Sequence, residues 1–381
     1  MLPGGRREPR LAVGNTAAPS SLAGPRARRT REGPHRVYLE AFTAPKDPTS
    51  PRDNEDRIVA YDGRTFAVLD GVTDKSGARY DGRTGGVHAG RALERALREL
   101  TDDGSLAQAD TGRVTERLNA AIREAYARYG LLEAAAEDPG LRFGATAAVA
   151  HVDGGSLRLL VVGDCGARAD GRVWQRPNPA DDVVAALRAT AYAVLTEAAP
   201  TLALHDRLAL ARAYTVAGIG STLPESPLDA SGHAALAARV HATLAAEFPR
   251  FGEHLRTALA DGGLRAAAHL RAGGAHTDTA GPGVLRHGVL DGFALEVGAV
   301  DDVWLAVDAV AVLELFSDGY FGWPTPGGTV AAWEAHHARV ERTDPHRLGR
   351  YRSTKGSSQG RHADDRAIVI LRKEPPTHEA A

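Results

Sequence analysis

"FAVLDGVTDKSGARYDGRTGGVHAGRAL" (66–93) begins as an apolar run of strand character and breaks on Asp70-Gly71. A turn rich in Gly, Asp and Ser follows, and a helix then opens on Gly85 and Gly86. Two readings fit a strand that ends on a carboxylate with glycines crowded behind it. Asp-Gly is ordinary turn chemistry, which stops a strand and needs no ligand. The other reading is a metal or phosphate site, which requires partners elsewhere in the chain.

Outward from this stretch, "HRVYLEAFTA" (36–44) reads as a strand, 45–57 as a polar loop broken by prolines, and "RTFAVLD" (64–70) as a second strand. Helices are expected over 85–100 and over 115–135, where Leu118, Ile122 and Tyr126 recur four apart. "ATAAVAHVDGGSLRLLVVGDC" (145–165) is a hairpin of two apolar strands around an Asp-Gly-Gly turn. Residues 180–270 turn Ala- and Leu-rich and helical, and 271–283 is a flexible turn region. Strands resume over 283–300 and 310–321, followed by a helix at 329–341, a polar loop at 342–363 and a last strand at 364–372. The order lacks regular βαβ alternation, so the class is α+β, with stacked sheets and helix layers. There is no internal repeat.

The chain has 381 residues, 43% of them hydrophobic, and a formal net charge of −2. That supports a sizeable core and argues for neither a nucleic-acid nor a membrane partner. The only cysteine, Cys165, excludes an internal disulfide and a Cys-based zinc site. No apolar run approaches the roughly 20 residues of a spanning helix, and the chain reads as soluble, intracellular and cytoplasmic. Residues 1–35, rich in Arg, Pro and Gly, read as a disordered basic tail, with a docking arm or an over-long start as alternatives; 376–381 form a second tail.

The Asp70-Gly71 device repeats. Asp164 closes "LLVVGD", Asp318-Gly319 closes "LELFSD", Asp365 opens "DRAIVIL", and Glu55 and Asp56 stand in "NEDR". Taken singly, each is explained by a turn or a cap, and Asp164 by tying loop amides together. Taken together, carboxylates at the edges of distant strands are what a hard-cation site requires, because clustered acids repel unless a divalent ion sits among them.

Five motifs in order, "NEDR", "LDG…GG…AG", "GATAAVAHV…LRLLVVGDCGA", "LFSDGYF" and "DDRAIVIL", resemble the metal-dependent protein Ser/Thr phosphatases, the PPM or type 2C family, of bacterial type. The resemblance covers roughly 36–175 and 284–372. It implies an αββα sandwich of two antiparallel sheets flanked by helices, within a domain over 36–375 that carries the Ala-rich helical insertion at about 180–282. It also implies two Mg²⁺ or Mn²⁺ ions. By resemblance, Asp70 bridges both metals, Gly71 offers its backbone carbonyl, Asp318 and Asp365 bind the second metal, and Glu55 and Asp56 hold a metal-bound water or coordinate directly. Asp364 is the neighbour of a ligand. Asp70, Asp318 and Asp365 form the catalytic set, and a metal-bridging hydroxide attacks the phosphomonoester. Gly85, Gly86 and Gly90 match glycines that let the following helix pack close to the sheet.

The chain departs from the family in several places. The family's phosphate-binding Arg position holds Pro51, leaving Arg52 and Arg57 as candidates for substrate phosphate or as surface residues. Val72 stands where animal relatives carry a His, and His88 is either a proton donor or a helix-face residue. Cys165 reads as a buried filler. The insertion is either an elaborated helical layer or a subdomain beside the cleft that restricts substrate or binds a partner. The loop "RTDPHRLGRYRSTKGSSQGRH", with five Arg and one Lys, reads as solvated, with a surface that greets an anionic substrate as the alternative. The expected function is hydrolysis of phosphoserine or phosphothreonine in a phosphorylated protein. The alternatives are a phosphatase of a small phosphorylated metabolite and a catalytically silent regulatory or binding protein.

Overall fold

Apolar residues at alternating positions serve two different cores. The computed structural model describes residues 28–30, 37–72, 76–272, 287–295, 297–325, 328–358 and 360–373. The tail expected at 376–381, most of that at 1–35 and the turn region beyond 272 lie outside the described residues. Strands form two antiparallel sheets. Across the first the order is β1 (Arg28–Thr30), β2 (Val37–Ala44), β11 (Arg366–Lys373), β10 (Val312–Phe316), β7 (Gly166–Ala169) and β8 (Arg172–Gln175). Across the second it is β3 (Arg57–Tyr61), β4 (Thr65–Val72), β5 (Gly144–Asp153), β6 (Ser156–Val162) and β9 (Val300–Ala306).

Successive side chains of a strand point to opposite faces. Phe66 and Val68 of β4, Ala148 and Ala150 of β5 and Leu159 and Val161 of β6 face the first sheet, meeting Leu313, Leu315, Ala367 and Val369. Their neighbours Ala67, Leu69, Ala147, Val149, Leu160 and Val162 face outward onto the helices α1 (Gly85–Asp102) and α3 (Thr111–Arg128), which contribute Leu93, Leu97, Leu118 and Ile122. On the far side, Ile368 and Ile370 of β11 meet Trp333 of α9 (Val330–Thr343). The fold is therefore an αββα sandwich. Buried Arg168 pairs with Glu314, and Trp333 Nε1 donates to Glu314 Oε1 at 2.9 Å, which fastens α9 to the first sheet. Removing one partner of such a pair costs about 3–5 kcal/mol.

The insertion comprises α5 (Pro179–Ala198), α6 (Leu204–Ala217), α7 (Ala230–Glu247) and α8 (Glu253–Ala272). These four helices have a core of their own, including Leu187, Leu195, Tyr214, Val240, Leu244 and Leu259. One buried arginine ties them to the sandwich: Arg188 Nη1 of α5 donates to the carbonyls of His346 (2.8 Å), Arg347 (3.2 Å) and Ser353 (3.2 Å).

Four local expectations change. β4 continues through Asp70-Gly71 to Val72, so Asp70 sits inside a strand, opposite Thr146. The helix expected over 115–135 breaks at Gly130, whose φ of +67° favours glycine, and resumes as α4 (Leu132–Glu137). Among the described residues of 283–300 only Leu290 bridges to Ala145, and the strand itself begins at Val300. The loop at 342–363 is knit rather than solvated. The Asp344 carboxylate accepts backbone hydrogen bonds from Leu348 and Gly349 (3.0 Å each) and from Tyr351 (2.9 Å), on the segment that Arg188 caps from the insertion.

Candidate metal centre

The ends of strands from both sheets converge at one edge of the sandwich. Glu55 and Asp56 lead into β3, and Asp70 lies near the end of β4. Asp164 occupies the turn from β6 to β7, Asp318 follows β10, and Asp364 and Asp365 precede β11. Carboxylate oxygens of Asp70, Asp164 and Asp318 lie within 4.8 Å of one another. Two glycines permit this close assembly. A Cβ on Gly71 would stand 2.6 Å from the Gly86 carbonyl oxygen of α1, so this glycine is needed for helix packing whatever ion its carbonyl meets. A Cβ on Gly319 would collide with the backbone carbonyl of Asp365.

The structure brings Asp70 and Asp318 together and adds Asp164, a strand-end acid outside the ligand set that the resemblance implies. It gives Asp365 other partners. Oδ1 of Asp365 accepts from the Lys46 backbone N–H at 2.6 Å, and Oδ2 accepts from Lys46 Nζ at 3.1 Å and the Glu55 N–H at 3.2 Å. Lys46 Nζ also meets Glu55 Oε2 at 2.8 Å, while Thr84, the N-cap of α1, donates to Glu55 Oε1 at 2.7 Å. Asp56 Oδ2 accepts from Ser317 Oγ at 2.5 Å. Asp364 pairs with Lys355, whose side chain is 45% exposed at the edge of the cluster. Two of the chain's four lysines are thus drawn into one acidic site. No spacing in the sequence signals either pairing.

The carboxylates still outnumber their counter-charges. Burial, then Asp56, Asp318 and Asp164, raises Asp70 well above the usual carboxylate range. Burial, then Asp364 and Asp164, pushes Asp318 up to about 7. Asp56 is raised by burial and Asp365, against the Ser317 hydrogen bond. Asp364 goes the other way: burial opposes its charge, but Lys355 and Lys46 hold it down. Buried Asp56 Oδ1 and Asp318 Oδ1 have no hydrogen-bond partner among the described residues. An all-oxygen donor set with surplus negative charge and orphaned oxygens fits a hard divalent cation such as Mg²⁺ or Mn²⁺.

The remaining candidates lie apart. Arg57 Nε donates to Glu94 Oε2 of α1 at 2.8 Å, and Arg52 is exposed on the short turn before Asn54. Neither has a contact with the carboxylates among the described residues. His88 bonds the Tyr80 carbonyl through Nε2 at 2.7 Å and stands beside Tyr129. Cys165 is fully buried under the cluster and accepts from Thr146 Oγ1 at 3.3 Å, a filler's position.

No known family model matches the chain, and no curated protein sequence does. Solved structures similar to it include the following three. The Mycobacterium tuberculosis serine/threonine phosphatase PstP/Ppp is 16% identical with a TM-score of 0.38, covering 88% of this chain and 98% of its own. A PstP catalytic domain in complex with two manganese ions is 14% identical, with a TM-score of 0.37 and coverage of 89% and 99%. The Staphylococcus aureus serine/threonine phosphatase Stp1 is 12% identical, with a TM-score of 0.38 and coverage of 88% and 95%. No described helix is long and apolar enough to cross a membrane.

Proposed function

We propose that this chain is a metal-dependent phosphomonoester hydrolase of the PPM type, acting on phosphoserine or phosphothreonine in proteins. One observation carries the reading: carboxylates from strand ends of both sheets close to within 4.8 Å around Asp70, with surplus negative charge. Divalent ions bound there supply Lewis-acid charge to a phosphoryl group and acidify water. Asp70, Asp164 and Asp318 would hold them, with Asp56 beside them.

The protein's own residues orient the substrate. Lys355, partly exposed and paired with Asp364 beside the cluster, would meet phosphate oxygens as a point charge. That role passes to it from Arg57, which Glu94 engages. The segment carrying Lys355 is held by Arg188 of the insertion, so the four added helices set the position of a substrate-facing cation. This favours the insertion as a subdomain that shapes substrate access.

A specific observation favours fewer ions than the two that the resemblance implies. The Lys46 ammonium engages Asp365 Oδ2 and Glu55 Oε2, and the Lys46 backbone N–H engages Asp365 Oδ1, so these oxygens already have partners. On that reading Lys46 supplies a fixed positive charge beside a reduced metal site. The deciding experiment is Mn²⁺-dependent hydrolysis of p-nitrophenyl phosphate and phosphothreonine peptides by purified protein, with the Mn²⁺ stoichiometry measured alongside. Metal binding without hydrolysis of either, or of phosphorylated metabolites, would put a silent binding role in first place.

A further inference from the structure

A second cluster of metal-competent side chains lies at the other end of the loop at 344–362. α9 places His337 and Glu341 four residues apart, on one face of the helix. The chain returns after the loop and sets His362 against them, just before β11. One ligand atom from each residue lies within 4.8 Å of the other two, and His362 Nδ1 is 3.8 Å from Glu341 Oε2.

His337 is the telling member. It is 4% exposed, and among the described residues neither ring nitrogen finds a hydrogen-bond partner. A buried polar side chain is almost always satisfied, and an orphaned one costs about 1–3 kcal/mol. Its ring stacks edge-on against Tyr320 and His362, so its position is set although its nitrogens are idle. Burial, with Arg366 nearby, lowers it to about 4, which leaves the imidazole neutral with a lone pair to offer at ordinary pH.

Glu341 is already oriented. Arg347 holds Oε1, and Ser357 Oγ donates to Oε2 at 2.6 Å, on the side facing His362. Such outer partners are what a metal-binding carboxylate carries. Two imidazole nitrogens and one carboxylate oxygen suit a borderline transition-metal ion, with a fourth position open, and do not suit Mg²⁺ or Ca²⁺, which take oxygens. Donors held about 2.0–2.2 Å from one tetrahedral ion stand roughly 3.3–3.5 Å from each other, and His362 Nδ1 and Glu341 Oε2 lie a little beyond that at 3.8 Å. His362 and Glu341 are only partly buried, and a modest closing of the loop brings them in.

We propose that His337, Glu341 and His362 form a binding site for a Zn²⁺-class transition-metal ion. The ion would clamp α9 to the loop that presents Lys355 to the carboxylate centre. It is separate in chemistry from the hard-cation site, and it stands whether or not the chain is a phosphatase.

The test uses the full chain in an Asp70→Asn background, which disables the carboxylate centre, with Zn²⁺ by calorimetry and Co²⁺ by its visible absorption. One equivalent of Zn²⁺ should bind, and Co²⁺ should give the intense bands of a low-coordinate nitrogen–oxygen site. His362→Gln, a change at a partly exposed loop residue that leaves the buried helix face intact, should weaken Zn²⁺ at least about 100-fold, and Ser357→Ala roughly tenfold. Circular dichroism establishes that each variant is folded. Absence of stoichiometric Zn²⁺ binding in the Asp70→Asn protein overturns the proposal, as does unchanged Zn²⁺ affinity and Co²⁺ absorption in folded His362→Gln.

Discussion

The two side-chain clusters pose opposite electrostatic problems. At the carboxylate centre, separate strands bring acids together faster than lysines neutralise them, so burial and mutual repulsion push Asp318 up to about 7. At the His337–Glu341–His362 cluster the one acid is over-provided. Burial would raise Glu341, but His362, Ser357 and Arg347 outweigh it and hold it at about 2. The first cluster lacks positive charge, and the second lacks a partner for a neutral imidazole. Charge deficit selects a hard divalent ion; idle nitrogen lone pairs select a borderline one. The segment from Asp344 to His362 joins the two, since it carries Lys355 to one and Ser357 and His362 to the other.

The largest expected effect breaks the comparison at the carboxylates. Asp70→Asn or Asp318→Asn should lower Mn²⁺-dependent p-nitrophenyl phosphate hydrolysis at least about 10³-fold, roughly 4 kcal/mol of barrier. Near-normal turnover in either variant would remove the centre from the chemistry.

Next in size is the stability that the ion contributes. At about 100 times its Kd, Mn²⁺ should add about 2.7 kcal/mol to wild-type unfolding by relieving the repulsion around Asp70, visible as a rise of several degrees in Tm. Asp70→Asn should show no such rise. An equal Mn²⁺ response in wild type and variant would mean the ion binds elsewhere.

A smaller effect sharpens the role of the joining loop. Lys355→Ala should raise the KM for p-nitrophenyl phosphate about tenfold, equivalent to about 1.4 kcal/mol, with a lesser change in kcat. The smallest belongs to Arg57→Ala, because a partly exposed pair with Glu94 is worth about 1 kcal/mol or less. Its KM should stay within about threefold of wild type. If Arg57→Ala raised KM more than Lys355→Ala, the phosphate contact would lie on β3, contrary to the assignment here.

Much of the sandwich was legible because it is built from local regularities. The hairpin around Asp153 and the glycines opening α1 each report the backbone they form within a few residues. Asp70 and Asp318 stood out for the same reason, as acids at the ends of apolar runs. Asp164 looked the same but was open to a purely local explanation, and only the meeting of β6, β4 and β10 distinguishes it. The pairings of Lys46 and Lys355 left no signal: Glu55 and Asp364 stand nine residues from their lysines, a separation that no helix or strand period marks, and Lys46 meets Asp365 from 319 residues away. The loop containing Lys355 looked solvated because its many arginines are polar by type. Arg347 is nonetheless fully buried, held by Glu341 and the carbonyl of Asp344.

The sequence by itself determined the alternation that makes the strands, the amphipathic face of α1 and the acids at strand ends, all properties of neighbours a few positions apart. It also set His337 and Glu341 on one turn of a helix, where 3.6 residues per turn align them. Tertiary structure alone decided which acids share a site, which lysines answer them, and that His362 returns to complete the helix pair. Those outcomes depend on long-range closure of the chain and on charge balance summed over many segments, quantities that no short stretch of residues contains.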